Sequence, residues 1–228
     1  MNAHETVHIA ADLFQTCRAR GWLTELLPSA ITLQALETFE AEGSLQLPPF
    51  YKDYLTAYQL PRPVFDICGI AWHAYELSPL WLSLYGVTST AELAAQRRAF
   101  CEEAVELRQA EPAACAHLLP IGDWGAGWGP LCLDLTKAET LADPDDPATW
   151  SVVWFDHEEF DWPAEYAGTD GLLHGAPAAP DLRTLLEWYF CGALEAEFEA
   201  ENHVKVTYDR LNDQDFCQSY WEERWQEQ

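Results

Sequence analysis

Three short runs hold the residues that could do chemistry: Asp123 in "GDWGAGWG", Asp134 in "LCLDL", and Asp156-His157-Glu158-Glu159 in "WFDHEEF". Two carboxylates can split a glycosidic bond when one stays protonated while the other is ionised. An imidazole flanked by acids offers the ligand types that zinc takes. Neither pattern is completed. "HEEF" is not H-E-x-x-H, because it has no second histidine four residues on to share a helix face. Neighbouring residues at a strand end point in different directions instead. The chain carries 38 acids, so some convergence of Asp123, Asp134, Asp156 and Glu158 on adjacent strands is expected by chance. A hydrolase using Asp123, Asp134, Asp156 and His157 is therefore kept only as a third reading. "GDWGAGWG" lacks the G-K-[ST] ending of a phosphate loop and any base to meet phosphate, and no G-x-S-x-G occurs. The expectation is a protein that is not an enzyme, with no catalytic residue, no metal and no cofactor.

Charge is the strongest departure from chance. The net charge is −26, with only 12 Lys and Arg. Phosphate contacts need cations, so nucleic acid is excluded as a direct partner, and an anionic membrane surface is disfavoured in the same way. Between Ala138 and Leu182 there is no Lys or Arg, while 11 acids fall there, from Glu139 to Asp181. Trp150, Trp154, Trp162 and Tyr166 are interleaved with them. Acids around exposed rings suit a face that binds a basic protein: the rings anchor, and the acids speed encounter and exclude wrong partners. The plainer alternative is a solvated acidic face with its tryptophans turned inward. Mid-strand Trp154 suits the core, whereas Trp124, Trp128 and Trp162 stand beside turns and are the surface candidates. The expected partner-binding set is Asp123, Trp124, Trp128, Asp156, His157, Glu158, Glu159, Asp161 and Trp162.

Elements that would position these residues follow from periodicity. Residues 3–20 have helical spacing that ends at Gly21. A second helix is predicted from Thr32 to Glu42, with Leu33, Leu36 and Phe39 inward and Gly43 as its stop. Pro48 and Pro49 suit a helix start, followed by the stripe Tyr51, Tyr54, Leu55 and Tyr58. Residues 64–85 read as strands and turns. Ser89 and Glu92 have capping-box spacing, opening a helix to Ala110 with Leu93, Phe100, Ala104 and Leu107 inward. "HLLPI", "PLCLDL" and "WSVVWF" read as strands, the first two closing an antiparallel hairpin across the glycine-rich stretch. Residues 163–180 read as a connection, and Asp181 caps a helix to about Ala200. Helices, then antiparallel strands, then a helix make an α+β fold. The seven cysteines include no C-x-x-C pair and read as reduced thiols, which points to a cytoplasmic protein. No signal peptide and no membrane span is read from the sequence.

The parts in this order resemble the SUKH superfamily, which includes the fungal cell-wall synthesis regulator and many bacterial immunity proteins. Its early pattern, E-x-x-x-G-x-x-L-P-x-x-[YF], is filled by Glu37 or Phe39-Glu40, then Leu47, Pro48 and Tyr51, with a slightly longer spacer. Its glycine-bearing hairpin ending in L-D-L is matched by Gly122, Asp123, Gly127, Leu133, Asp134 and Leu135. The strand that follows is matched by Val152, Val153, Phe155, His157 and Glu158. The resemblance covers about residues 30–195 of a single domain spanning 1–228, with the N-terminal helix and the tail 201–228 as additions. It implies a mixed, mainly antiparallel sheet with helices packed against it, and no catalysis. It also implies a bacterial immunity protein that neutralises a cognate protein toxin, a basic nuclease-type effector, by stoichiometric binding. The alternative from the same resemblance is a regulatory scaffold or adaptor for an endogenous partner.

Overall fold

The structure, a computed structural model, describes residues 15, 27–59, 82–124, 129–143 and 145–191. The expected helix at 3–20 apart from residue 15, the strands before residue 82, Trp128, the expected continuation of the last helix to about Ala200 and the tail 201–228 lie outside these residues. Among the described residues the fold is α+β: one antiparallel sheet with helices on either side of it in sequence.

Two helices come first. α1 (Leu33–Gly43) is capped by Thr32, whose side chain accepts the Ala35 N–H at 3.2 Å. Leu36 and Phe39 are buried, but Leu33 is 53% exposed, because it sits in the first turn on the solvent side. The expected stop at Gly43 shifts by one residue: the left-handed position is Ser44, with φ 48°. α2 (Pro49–Ala57) starts on Pro49, where a missing N–H costs nothing. It buries Tyr51, Tyr54 and Leu55. Glu40 ties the two helices together, accepting from Leu47 N–H at 2.6 Å and from Lys52 Nζ at 3.1 Å.

The five strands are β1 (Leu82–Leu84), β2 (Leu118–Trp124), β3 (Gly129–Asp134), β4 (Val152–Trp154) and β5 (Ala176–Ala179). They lie in sequence order, each antiparallel to the next. β2 and β3 form the expected hairpin, with Leu118 opposite Asp134 and Trp124 opposite Gly129. β2 tolerates Pro120 because the register shifts between Pro120 and Gly122. Residues 163–180, expected as a connection, contain the short helix α5 (Trp162–Tyr166) and the strand β5. "APAA" has weak strand propensity, and its proline is accommodated because, among the described residues, β5 pairs on one side only.

Between β1 and β2, α3 (Thr90–Leu107) opens with the expected cap: Ser89 Oγ accepts the Glu92 N–H, and the Glu92 carboxylate accepts the Thr88 N–H at 2.6 Å. Leu93, Phe100 and Ala104 are buried as expected, but Leu107 is 56% exposed because the helix unwinds at Arg108. A short α4 (Pro112–Cys115) leads into β2. Strand alternation puts Leu118, Cys132 and Val153 on one face of the sheet, where they pack with Phe100, Ala104, Cys115, Phe155, Trp162 and Leu173. Leu119, Leu131, Leu133 and Val152 point to the other face and are buried there. Asp181 caps α6 (Leu182–Cys191), accepting the Thr184 N–H at 2.8 Å. Cys101, Cys115 and Cys132 are free thiols. Among the described residues no helix is long and apolar enough to cross a membrane.

Candidate functional site

Two clusters of polar side chains stand at the ends of β4. The first is the turn that follows it. The Asp156 N–H donates to the Tyr166 hydroxyl at 3.1 Å, and the Asp156 carbonyl accepts the Trp162 indole N–H at 3.0 Å. The Asp156 carboxylate closes the turn on itself by accepting the Glu158 N–H at 2.8 Å. Asp161 caps α5 through Ala164 N–H at 3.0 Å. Thus both end acids of the run are engaged in backbone, and the residues between them face solvent. His157, Glu158, Glu159 and Phe160 are all exposed, Phe160 to 66%.

Trp162 corrects the expectation of a surface anchor. It is fully buried, stacked on Phe100 at 5.8 Å and tilted against Phe155 at 4.9 Å. The reason is local. Asp161 is an N-cap and Pro163 suits the helix start, so Trp162 is the first helical residue and turns back onto the sheet. Its backbone N–H donates to the Arg108 carbonyl, and the Arg108 guanidinium lies 5.6 Å from its ring centroid. The exposed ring is Phe160, two residues earlier. A plain-looking phenylalanine between two acids and an Asp-Trp-Pro cap is the signal that would have found it.

The hairpin residues are partly covered. Trp124 is half-buried and stacks on Trp154, with centroids 6.4 Å apart. Asp123 is half-buried and accepts the Tyr85 hydroxyl at 3.2 Å. Burial pushes the Asp123 carboxyl above its ordinary range, with Glu103 adding to the rise and the Tyr85 hydrogen bond opposing it. A Cβ on Gly129 would lie 1.7 Å from the Phe155 carbonyl oxygen and 3.1 Å from His157 N. Only glycine lets the start of β3 come this close, and the contact brings the Trp124 end of the hairpin beside the acidic turn. The four-carboxylate grouping does not form. Asp123 is opposite Pro130, and four residues of strand, about 13 Å, separate Pro130 from Asp134.

Asp134 belongs to the second cluster, at the other end of β4, where its N–H donates to the Ser151 carbonyl. It is fully buried. Oδ1 accepts from Thr136 N–H at 3.0 Å and from the Thr136 hydroxyl. Oδ2 lies 2.8 Å from His174 Nδ1 and 3.7 Å from Lys137 Nζ. His117 Nε2 is 3.6 Å from Oδ1 and 2.9 Å from the Leu173 carbonyl oxygen. His174 Nε2 faces Asp170 at 3.1 Å. Burial lowers the His117 pKa, opposed by Asp134. The Leu172 N–H, then His174, hold the Asp170 carboxyl below its usual range. His117 and His174 escaped notice in the sequence because 56 residues separate His117 from Leu173, the backbone partner it meets. No spacing motif spans such a gap.

No protein-family model, no curated protein and no solved structure matches the chain.

Proposed function

We propose that this chain is an immunity protein that binds and neutralises a basic protein toxin, with the turn from Asp156 to Asp161 as the centre of its binding face. The observation that carries this reading is the turn itself. Phe160 is 66% exposed between Glu159 and Asp161, on a loop whose footing is locked by Trp162 and Tyr166. A loop anchored at its footing has less backbone freedom to lose on binding, and a surrounding acidic field accelerates encounter with a cationic partner. A nuclease toxin is cationic where it grips phosphate, so an acidic inhibitor competes for the same charges. The net charge of −26 and the absence of Lys and Arg from Ala138 to Leu182 fit that partner. The resemblance to the SUKH superfamily supports the same reading, and an antiparallel sheet flanked by helices is compatible with it. The half-buried Trp124 and Asp123 border the turn and form the edge of the proposed face.

The test begins with capture of the partner from the native cell, guided by any neighbouring gene for a secreted toxin with a polymorphic C-terminal domain. Growth arrest by the captured toxin is then relieved by the co-expressed wild-type chain. Relief is lost in a Glu158→Lys, Glu159→Lys, Phe160→Ala variant, which leaves the structural carboxylates of Asp156 and Asp161 in place. The association rate falls steeply with added salt. Protection by the triple variant equal to wild type, or an association rate indifferent to salt, sinks this face. Capture of a non-toxic endogenous protein instead moves the reading to a regulatory adaptor.

A further inference from the structure

We propose that His117, Asp134 and His174 form a binding site for one divalent transition-metal ion of the zinc class. The three come from separate parts of the chain: the turn before β2, the end of β3, and the loop before β5. One ligand atom from each lies within 4.8 Å of the others. Tetrahedral zinc with bonds of about 2.0–2.1 Å sets neighbouring donors about 3.3 Å apart. His117 Nε2 and Asp134 Oδ1, at 3.6 Å, already match that edge. His174 Nδ1 lies 2.8 Å from the other carboxylate oxygen, Oδ2, so one ion draws on all three residues once that pair opens by about half an ångström and the carboxylate turns to present one oxygen to both imidazoles.

Two of the three ligands, His174 and Asp134, have partners that orient them. A ligating histidine characteristically donates its other N–H to a carboxylate. His174 has that partner: with a metal on Nδ1, its proton stays on Nε2 and is given to Asp170, 3.1 Å away. Asp134 is oriented by Thr136, whose N–H and hydroxyl both reach Oδ1. Two imidazoles and one carboxylate suit zinc, cobalt or nickel, whereas calcium and magnesium need more oxygen donors. The fourth position opens on the side of His174 and Lys137, which are 22% and 23% exposed, so water can complete the shell. Lys137, 3.7 Å from Asp134, supplies the neighbouring positive charge without the ion and has a long side chain able to swing outward when one enters. His117 gives up the contact of its Nε2 with the Leu173 carbonyl for the metal bond, and the ring proton moves to the buried Nδ1. His157, in the "HEEF" run, plays no part, and the expectation of no metal came from that run alone.

The site is tested on the full chain, stripped with chelator and titrated with Co²⁺ and Zn²⁺. The wild type binds one equivalent, gives the visible band of four-coordinate Co²⁺, and unfolds at a higher temperature with Zn²⁺. Asp170→Asn keeps all three ligands and weakens Zn²⁺ binding roughly 10–100-fold. His174→Gln and Asp134→Asn abolish the band and the thermal shift, with circular dichroism reporting whether each is folded. Should Asp134→Asn fail to fold, the outcome rests on His174→Gln and Asp170→Asn, whose positions are partly exposed. No binding to the stripped wild type, or the same affinity and band in His174→Gln, overturns the site.

Discussion

Asp134 and Glu158 stand near opposite ends of β4 and are treated in opposite ways. Asp134 is fully buried and surrounded by two Thr136 donors, two imidazoles and a lysine. Glu158 is exposed in a turn whose backbone, rather than its own carboxylate, carries the structure. A buried charge is tolerable only with partners that replace its water, so Asp134 must be part of the architecture. An exposed acid contributes little to folding, so Glu158, Glu159 and their neighbours are open to serve a partner. The turn therefore divides into two layers: a footing of Asp156, Trp162 and Tyr166, and a crest of His157, Glu158, Glu159 and Phe160.

The largest effect breaks the footing. Trp162→Ala removes a fully buried ring from the cluster of Phe100, Phe155 and Leu173, and frees the Asp156 carbonyl from its indole partner. A loss of about 3–5 kcal/mol is expected from the cavity, read as a lower urea midpoint. Asp134→Ala comes next, at about 3 kcal/mol, because His174 and Lys137 are partly solvated and recover some hydration. Paired with it, Glu158→Ala and Glu159→Ala should each change stability by no more than about 0.5 kcal/mol. If the two exposed acids cost as much as Asp134, the division into layers is wrong.

Phe160→Ala sharpens the same comparison on the binding side. Its ring is 66% exposed, so folding should shift by less than about 0.5 kcal/mol. Affinity for the captured toxin should fall by about 2 kcal/mol, or roughly 30-fold, as for an aromatic anchor. Calorimetry on the variant and wild type separates the two quantities. A large stability loss with unchanged affinity would return Phe160 to the core.

Local signals carried much of the fold. Thr32, Ser89 and Asp181 cap helices as their types suggest, because capping is settled within three residues of chain. The β2–β3 hairpin was legible from its apolar runs and the glycine-rich stretch between them, whereas the alternation of β3 hid that both of its faces are buried. Contacts decided elsewhere stayed hidden. β5 is a strand because β4 offers it an edge, not because "APAA" favours one. The acidic turn was visible as composition, yet which ring it exposes depended on the helix start at Trp162. That detail was written in Asp161 and Pro163 but outweighed by the size of the indole. The His117–Asp134–His174 grouping had no local signal, since only the folded sheet and the loop over it bring the three together.

Asp123 lies between the two extremes. It is half-buried with one hydroxyl donor, and burial and Glu103 raise its pKa above the ordinary carboxylate value of 3.8. A carboxyl whose folded pKa is raised favours the native state while protonated. That contribution is present below pH 3.8 and is lost as pH rises through the elevated folded value. At pH 7 the ionised Asp123 therefore costs stability. Asp123→Asn keeps an acceptor for Tyr85 and removes the charge, so its unfolding midpoint at pH 7 should rise, by less than about 1 kcal/mol after solvent screening. The gain should vanish when the comparison is repeated below pH 3.8, where the wild-type acid is itself neutral. If the same variant also weakens toxin binding, Asp123 is an acid held at a folding cost for the partner it meets, which places it with the crest of the turn. If binding is unchanged, its charge serves neither layer, and the face ends at the turn.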